Sequence, residues 1–315
     1  MSVLNETRAK DYFYIINAPI VEEPLCHLEM KYLFHKENGA KHFFSAKEIK
    51  PSRSPYIKHR MSVIYRADSL EDLIRQLQIH KAAYDNFKFV HFSFEGGELG
   101  YAEWIRCVTE LARWIDGEVD MVHPKTTLGV TKVQGTWILG EYEKNDNRWQ
   151  EHNNKPNTNS HSLRIQVAKA LVNIAVGDAV NCRLIDPCCG VGTVVIEAVS
   201  MGIDVKGYEL SWPTAGKAKK NMAFFGYKNV ITRGDMHAIQ EHFDVAIIDI
   251  PYGLFTPVTL EQQKAIITTA HRIADKVVII TFEDMEEVII SAGFTIVDRC
   301  RMTKGYFKRC ISVCY

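Results

Sequence analysis

Short apolar runs in the second half of the chain, each followed by a carboxylate, predict the strands of a parallel sheet. The runs lie at residues 184–185, 205–208, 230–234 and 243–248, and helix-compatible stretches separate them. Alternating strands and helices are typical of α/β folds, in which strands covered on both faces are almost continuously apolar. Because parallel strands end at one edge of the sheet, four acidic side chains are expected there: Asp186, Glu209, Asp235 and Asp249.

The flanks of this region extend the prediction. A helix over 163–174 is expected before the sheet, and a helix over 260–274 precedes an apolar strand over 276–280. Residues 294–300 and 307–314 predict two final strands joined by a turn. Upstream, the polar, Asn-rich stretch 143–160 has no apolar period, which indicates a connection between domains.

The N-terminal half predicts a smaller unit of mixed helices and strands. Strands are expected at 12–18, 87–94, 119–124, 127–133 and 136–142, and helices at 24–34, 70–77 and 101–115. Trp104 falls on the apolar stripe of the last helix, so we expect it in the core rather than as a platform for nucleobases. The predicted organisation is an N-terminal domain over 1–150, a linker over 151–162 and a larger α/β domain over 163–315.

A glycine-rich turn joins Asp186 to a helix that begins near Thr193. Glycines let the backbone approach a ligand, and a helix N-terminus offers unpaired N–H groups. A dinucleotide site requires a third glycine where Val195 stands, so NAD is disfavoured. The Asp186 carboxylate would repel phosphate but attract a cationic amino-acid group, which favours S-adenosylmethionine. Glu209, 19 residues after Gly190, is placed to hold ribose hydroxyls.

Three stretches resemble a known family. The turn from Asp186 to Thr193 resembles the first motif of class I S-adenosylmethionine-dependent methyltransferases. Asp249-Ile250-Pro251-Tyr252 looks like the Asp/Asn-Pro-Pro-Tyr motif of the members that methylate exocyclic amines. Lys155-Pro156 and the stretch 162–173 are similar to the lead-in of the THUMP-containing tRNA guanosine-10 N2-methyltransferases.

The resemblance implies an α/β fold with two parts. The larger is a class I methyltransferase domain, a Rossmann-like, mostly parallel seven-stranded sheet with a C-terminal antiparallel hairpin. A smaller α+β part, with a ferredoxin-like lead-in and a THUMP-like RNA-binding domain, precedes it. The chain departs from the family at Ile250, which replaces a proline, and at Asn159-Ser160, which replaces His-Pro. Because Ile250 keeps the backbone carbonyl, restoring the proline is expected to be tolerated.

The resemblance also implies roles for individual residues. Asp249 and the carbonyl of Ile250 are expected to accept hydrogen bonds from the target amine, with Pro251 next in the motif. Tyr252 is expected to stack on the extruded base, worth roughly 1–3 kcal/mol. The predicted cofactor-binding residues are Ser162, Asp186, Cys188, Gly190, Gly192, Thr193, Glu209, Leu210, Asp235 and Met236. Glu197, further along the same helix, is expected to contribute to the charge of the helix and to take no part in the chemistry.

The charge of the chain is balanced overall, and only one segment is strongly basic. Lys and Arg total 38 and Asp and Glu total 38, so no overall positive field points to nucleic acid. Residues 31–66 nevertheless hold nine Lys or Arg against two Glu, a net charge of +7. Phosphate contacts by Lys50, Arg53, Lys58 and Arg60 and a merely solvated basic face are equally weighted interpretations of this segment.

Composition excludes several other classes. The eight cysteines lack paired Cys-x-x-Cys spacing, so no metal site is expected and they are interpreted as reduced, mostly buried thiols. Small side chains in a tight turn explain Cys188 and Cys189 better than a nucleophilic role does. No membrane-spanning run or export signal is expected, and a cytoplasmic location is predicted.

Three functions stay open at this point. The first is methylation of a guanosine N2 in tRNA. The second is methylation of another amine, in ribosomal RNA or on adenine in DNA. The third is RNA binding without turnover, in a protein that retains the cofactor fold; Ile250 keeps this alternative open.

Overall fold

The computed structural model describes residues 11–36, 39–159, 162–178, 181–251, 258–304 and 307–315. These residues form two compact units. The first unit holds the described residues of 11–17, 39–52 and 56–146, and the second those of 18–36, 53–55 and 147–315. Among the described residues, none of the helices combines the length and the apolar character that crossing a bilayer requires.

The regular elements follow one another in chain order. The first part contains β1 (Tyr12–Ile16), α1 (Glu23–Phe34), β2 (His42–Ser45), β3 (Ile57–Ala67), α2 (Leu70–His80), β4 (Ala83–Val90), α3 (Tyr101–Leu111), β5 (Asp116–Val119), β6 (Thr126–Val133) and β7 (Thr136–Lys144). The remainder contains α4 (Ile165–Val176), β8 (Arg183–Asp186), α5 (Thr193–Ser200), β9 (Asp204–Glu209), α6 (Trp212–Phe224), β10 (Ile231–Arg233), β11 (Phe243–Asp249), α7 (Leu260–Ile273), β12 (Ala274–Thr281), α8 (Glu286–Ser291), β13 (Ile296–Lys304) and β14 (Phe307–Cys314). Short 3-10 helices lie at Ile20–Glu22, Pro51–Arg53, Ala112–Trp114, Arg148–Asn154 and Met236–Ala238.

The first unit is built on a seven-stranded sheet in the order β2-β1-β3-β7-β6-β4-β5. β4 pairs in parallel with β5 and β6, and the other neighbours are antiparallel. Leu73 and Leu77 of α2 and Leu111 of α3 bury their side chains in one core with Phe87 of β4. Trp104 packs against the same core, as its stripe position predicted.

Two features of this unit differ from the sequence prediction. β3 lies inside the basic segment, where no strand was expected, and it pairs with both β1 and β7. The strand predicted over 119–124 is wrong, because β5 ends at Val119. Asp120 Oδ1 accepts the backbone N–H groups of Val122 and His123, both at 2.9 Å, and this local turn removes those groups from strand pairing.

The second unit contains a seven-stranded sheet in the order β10-β9-β8-β11-β12-β14-β13. The first five strands are parallel, and β14 runs antiparallel between β12 and β13. This topology confirms the predicted α/β methyltransferase-type fold with its C-terminal hairpin. The strand order reverses at β8, which has β9 on one side and β11 on the other. In such sheets, ligands bind beyond the carboxyl ends of the strands at the reversal.

Helix α1 belongs to the second unit, although the sequence assigned it to the N-terminal domain. Glu29 of α1 is fully buried, and its carboxylate accepts hydrogen bonds from Ser54 Oγ and Asn173 Nδ2, both at 2.6 Å. Asn173 lies on α4, and its Oδ1 also accepts a hydrogen bond from Arg53 Nε at 2.7 Å. These buried polar contacts explain why residues 53–55 and α1 join α4.

The predicted linker contains ordered structure. The 3-10 helix Arg148–Asn154 buries Trp149 and His152 within the second unit. Helix α4 then begins at Ile165, close to the predicted start at 163, and almost all of its residues are buried. The domain limits at 150 and 162 stay a prediction.

Burial of Glu29 makes the stability of the fold depend on pH. Desolvation raises the pKa of this carboxyl group to about 7, against the lowering effect of its bonds to Ser54 and Asn173. A folded-state pKa above the unfolded value gives stability that is full below about pH 4.5 and is lost as pH rises through about 7. The free energy of unfolding should therefore fall by roughly 3 kcal/mol across this window.

Glu29→Gln should remove that part of the pH dependence, because the amide does not ionise. Denaturant unfolding at pH 4.5, 6 and 8 measures it, with Glu287→Gln as the exposed control on α8. Equal pH dependence in wild type and Glu29→Gln would show that Glu29 is not the titrating group.

Candidate active site

The turn after β8 leaves open space above a glycine. Gly190 and Gly192 have φ angles of +56° and +84°, a region that side chains other than glycine rarely adopt. A Cβ atom on Gly190 would meet no atom within 4 Å. Helix α5 starts at Thr193, and the Oγ1 of this residue is buried without a hydrogen-bond partner among the described residues. A ligand group can therefore approach the backbone of the turn at Gly190.

The turn is held tightly against β9. Cys189 N–H donates to the Tyr208 carbonyl at 2.9 Å. A Cβ atom on Gly207 would lie 2.7 Å from Ile231 Cδ1 and 2.9 Å from Val195 Cγ2, so a larger residue would force these side chains to shift. Sequence reasoning missed this requirement, because Gly207 stands in an apolar run without turn signals.

A buried amide also holds the turn. Asn221 of α6 is fully buried, and its Nδ2 donates to the Val191 carbonyl at 2.9 Å and to the Asn157 carbonyl at 2.9 Å. Its Oδ1 accepts from Asn157 N–H at 2.9 Å. Asn221 was also missed from the sequence, since a polar residue in a lysine-rich helix suggests an exposed position.

Asp186 is a buried acid with acidic neighbours. It is 4% exposed, and its Oδ1 accepts the N–H of Cys188 at 3.3 Å. Burial raises the pKa of Asp186 well above its usual range, and the charges of Asp249 and Glu209 raise it further. No Lys, Arg or His within the described ranges forms an ion pair with it. A cationic ligand group would supply the missing positive charge.

Glu209 ends β9 and binds the turn directly. One carboxylate oxygen accepts from Gly190 N–H at 3.0 Å and the other from Ser211 N–H at 2.8 Å. A carboxylate has about four acceptor positions, so these two bonds leave room for two hydroxyl donors. Glu209 could therefore both shape the turn and hold ribose hydroxyls.

The predicted adenine side lies after β10. Asp235 is exposed, and its Oδ1 accepts the N–H of His237 at 2.9 Å, which caps the 3-10 helix Met236–Ala238. Met236 is buried, with its sulfur 3.7 Å from Cys188 Sγ. Leu210 is 68% exposed beside Glu209 and offers an uncovered apolar surface. One exposed acceptor and two apolar side chains could accommodate a heteroaromatic ring and its amine.

The cysteines of the turn are unsuited to nucleophilic chemistry. Burial, followed by the nearby acidic groups, raises the pKa of both Cys188 and Cys189. Thiols of this kind stay protonated at neutral pH, whereas the thiolate is the nucleophile. A packing role for both residues agrees with these positions.

The motif that begins at Asp249 follows β11 at the same edge of the sheet. Asp249 is the last residue of β11 and is partly buried. Ile250 is 1% exposed, and its N–H donates to the Ile280 carbonyl at 3.0 Å. The Pro251 carbonyl accepts from Gln263 Nε2 at 3.0 Å, which ties the motif to α7. Tyr252 lies outside the described residues, so its predicted stacking role stays a prediction.

Ser162 is the remaining predicted cofactor residue. Its N–H donates to the Asn159 carbonyl at 3.0 Å, just before α4. This contact orders the chain locally, and a role for Ser162 toward the cofactor stays a prediction.

Glu197 has a structural role that the sequence did not indicate. It is fully buried on α5, with its carboxylate 2.6 Å from His152 Nδ1 and 3.8 Å from Lys169 Nζ. His152 Nε2 lies 3.1 Å from Tyr227 Oη. Breaking such a buried charge network is strongly destabilising. The network therefore fixes the helix that begins at the turn.

The predicted phosphate contacts need correction. Arg60 is 8% exposed and forms ion pairs with Glu48 at 3.0 Å and Glu143 at 2.7 Å. Arg53 is partly buried and bonded to Asn173 Oδ1, as described above. Since β3 places Arg60 between neighbouring strands, both guanidinium groups serve structure. Lys50 is exposed and Lys58 half-buried, so only these two stay candidates for phosphate contact.

Within the described ranges, no group of three or more His, Cys, Asp or Glu side chains is arranged to hold a metal ion.

Comparisons with known proteins identify a family that part of this chain resembles. Residues 153–291 match the family described as "RMKL-like, methyltransferase domain". A tRNA (guanine(10)-N2)-dimethyltransferase of Methanothermobacter thermautotrophicus is 24% identical over 197 residues, covering 60% of this chain and 58% of that protein. A protein of the same name from Pyrococcus abyssi is 24% identical over 196 residues, covering 58% of this chain and 59% of that protein. The chain thus spans less than two thirds of the length of these curated relatives.

Among solved structures, TrmN from Thermus thermophilus resembles the chain with 18% sequence identity and a TM-score of 0.47, covering 96% of this chain and 99% of that one. The family match covers β8 to β12 and both motifs, and it agrees with a methyltransferase domain that uses the predicted cofactor, S-adenosylmethionine. Residues 153–291 are thus similar to an RMKL-like methyltransferase domain, and this match covers less than half of the chain.

Proposed function

We propose that this protein transfers a methyl group from S-adenosylmethionine to an exocyclic amine of a base in RNA. The observation that carries the proposal is the position of Asp249. This carboxylate ends β11, the strand next to β8, and its charge acts on Asp186 at the end of β8. An acceptor for a base amine thus stands beside the acid that would face a cationic cofactor.

The cofactor supplies an activated methyl group on a sulfonium centre. Asp186 would face its positive charge, Glu209 its ribose, and Asp235 its adenine amine. Leu210 and Met236 would flank the ring. These assignments use the acceptor positions and apolar surfaces that the described side chains leave available.

Asp249 and the backbone after it would prepare the nucleophile. An exocyclic amine is a poor nucleophile because its lone pair is delocalised into the ring. Two acceptors, the Asp249 carboxylate and the Ile250 carbonyl, would bind its N–H groups and favour a tetrahedral nitrogen. Alignment within about 3–3.5 Å of the reacting carbon then provides most of the catalysis. The buried Ile250 and the Gln263 bond to Pro251 hold this backbone in place.

The finer assignment is the N2 amine of a guanosine in tRNA, at position 10. It is supported by the names of the two relatives and by the resemblance of Asp249-Ile250-Pro251-Tyr252 to the motif of amine-methylating enzymes. Methylation of ribosomal RNA or of adenine in DNA is the alternative within the same chemistry. The number of methyl groups added is a further outcome of the assay.

A different class of function has one observation in its favour. Ile250 stands where the family has a proline, so a cofactor-binding protein that binds RNA without turnover would also account for the sequence. Incubation of the protein with labelled S-adenosylmethionine and unmodified tRNA transcript separates these functions. Label in N2-methylguanosine supports the proposal, label only in adenine supports the alternative chemistry, and binding without label supports the third function.

Removing the acid at the end of β11 should separate catalysis from cofactor binding. Asp249→Ala removes the acceptor for the target amine, so methyl transfer should fall about 100-fold or more. Asp249→Asn retains one acceptor oxygen and should fall less.

Cofactor affinity should change only a few fold in both variants, as measured by calorimetry beside single-turnover rates. Asp204→Ala, an exposed change at the other end of β9, is the matched control. Wild-type transfer rates in Asp249→Ala would remove this residue from the mechanism.

Glu209 should control cofactor affinity. Glu209→Ala removes the proposed ribose acceptors and the bonds to Gly190 and Ser211. Hydrogen bonds to charged groups are worth about 1.5–3 kcal/mol, so calorimetric affinity for S-adenosylmethionine should fall roughly 10- to 100-fold. Glu287→Ala, in an exposed position on α8, should bind like the wild type. Unchanged affinity in Glu209→Ala would exclude Glu209 from the cofactor site.

The hydrogen bond of Ile250 predicts that Ile250→Pro destabilises the fold, whereas the family motif alone leads us to expect that proline is tolerated. Proline lacks the N–H that donates to the Ile280 carbonyl, and leaving a buried acceptor unsatisfied costs about 1–3 kcal/mol. Ile250→Val keeps the donor and should cost only about 0.5–1.5 kcal/mol. Denaturant unfolding measures both. Equal stability of Ile250→Pro and Ile250→Val would show that this hydrogen bond contributes nothing to the fold.

A further inference from the structure

The stretch from α6 to β10 concentrates positive charge. Residues 210–234 contain five Lys or Arg and no Asp or Glu, in a chain that carries 38 of each class. The five cations are Lys217, Lys219, Lys220, Lys228 and Arg233. All of them are exposed.

These cations differ from several others in the second unit, which are paired with acids. Lys31, Arg183 and Arg299 all form ion pairs with carboxylates. None of the five cations of 210–234 has an ion-pair partner in the part of the chain that the structure describes. Their charge is therefore available to an external anion.

Helix α6 carries three of these cations, Lys217, Lys219 and Lys220, away from its buried face. Ala215, Ala218, Asn221 and Met222 are its buried face. Residues three, four, seven or eight positions apart share a face of a helix. Trp212 and Gly216 therefore lie on the outer face with Lys219 and Lys220. Trp212 is 70% exposed, which is unusual for so large an apolar side chain.

The charged stretch starts and ends beside the candidate active site. Trp212 is three residues after Glu209, and Ser211 N–H donates to the Glu209 carboxylate at 2.8 Å. Arg233 lies opposite Glu209 in the register of β10 and β9. The aromatic ring and one cation therefore stand at the edge where the cofactor would bind, and the lysines continue away from it along α6.

We propose that the outer face of α6 binds RNA next to the target nucleotide, with Lys217, Lys219 and Lys220 on phosphates and Trp212 stacked on an unpaired base. This proposal rests on the proposed function, since it assigns the RNA a path to that site. Phosphates complement a cationic face without acids, and the exposed indole offers a stacking surface that accepts any base. A flanking nucleotide held here would keep the RNA in place while the target base is extruded.

The exposed aromatic surface of α3 does not suit RNA. Tyr101 is 60% exposed on α3 and stacks on Trp104 with ring centroids 5.8 Å apart. However, α3 carries Glu103 and Glu110 against a single Arg106, so its charge would repel phosphates. Charge thus favours α6 as the RNA surface.

The lysines are tested by the salt dependence of RNA binding. The triple variant Lys217→Gln, Lys219→Gln and Lys220→Gln loses three phosphate contacts, so the plot of log affinity against log salt should be shallower by about 2. At about 0.15 M salt, affinity for an unmodified tRNA transcript should be roughly 10- to 100-fold weaker. The matched control, Lys36→Gln, Lys81→Gln and Lys264→Gln, removes the same charge from exposed positions elsewhere.

The control variant should bind with the slope of the wild type. Calorimetric affinity for S-adenosylmethionine should stay at the wild-type value in both triple variants, which shows that they are folded. Equal slopes for the α6 variant and the control would overturn the proposal.

Trp212 is tested separately, because stacking does not release counterions. Trp212→Ala should weaken tRNA binding about 5- to 100-fold and leave the salt slope unchanged. Trp212→Phe should retain most of the affinity. Trp114→Ala, at an exposed tryptophan of the first unit, is the control and should bind normally. Wild-type affinity in Trp212→Ala would remove the stacking contact from the proposal.

The outcomes distinguish this proposal from the proposed function. If the wild type is active and the α6 variants bind and methylate RNA normally, the proposal for the α6 surface fails and the proposed function stands. If RNA binding depends on α6 but the wild type transfers no methyl group, the proposed function fails and the proposal for the α6 surface stands. Co-sedimentation with phosphatidylglycerol vesicles tests the remaining anionic partner. Loss of vesicle binding with intact RNA binding in the α6 variant would assign the face to lipid and overturn the proposal.

Discussion

Repulsion among carboxylates at one edge of the second sheet is the constraint on which the candidate site depends. Asp186 is buried, and Glu209 and Asp249 act on it from the two neighbouring strands, so its pKa is raised. The reversal of strand order at β8 creates this crowding, because it brings the ends of β9 and β11 to either side of one strand. A ligand with positive charge relieves the repulsion, whereas a phosphate increases it. This edge therefore favours a ligand group that carries positive charge, as a sulfonium cofactor does.

The surrounding structure keeps that edge in place. Gly207 allows the turn to lie directly on β9, Asn221 binds the turn from α6, and Glu197 anchors α5 to His152 and Lys169. Methyl transfer needs alignment more than acid–base chemistry, so fixed backbone positions contribute directly to rate. Residues with no contact to substrate can thus matter as much as those at the strand ends.

Much of the second sheet could be predicted from the sequence, since its apolar runs and the acids after them are local signals. The start of α5 at Thr193 and the C-terminal hairpin follow from the same kind of pattern. The buried roles of Arg60 and Glu29 could not be predicted, because each depends on partners far away in the chain. The basic segment looked like a surface by composition alone, yet β3 buries part of it. The hydrogen bond of Ile250 to Ile280 was hidden for the same reason, and it changes the expected effect of proline.

The charged stretch of α6 shows the opposite case, in which a local signal was available and its meaning depended on the fold. Five cations without an acid stand out in the sequence, but only the structure places Arg233 opposite Glu209 and shows that Trp212 is exposed. The central claim, that this chain methylates a base amine in RNA, is tested most directly by mass spectrometry of nucleosides from purified tRNA and ribosomal RNA of a strain lacking the gene. The account predicts that N2-methylated guanosine falls in the tRNA fraction and returns with the wild-type gene. Unchanged methylated nucleosides in both RNA fractions would contradict it.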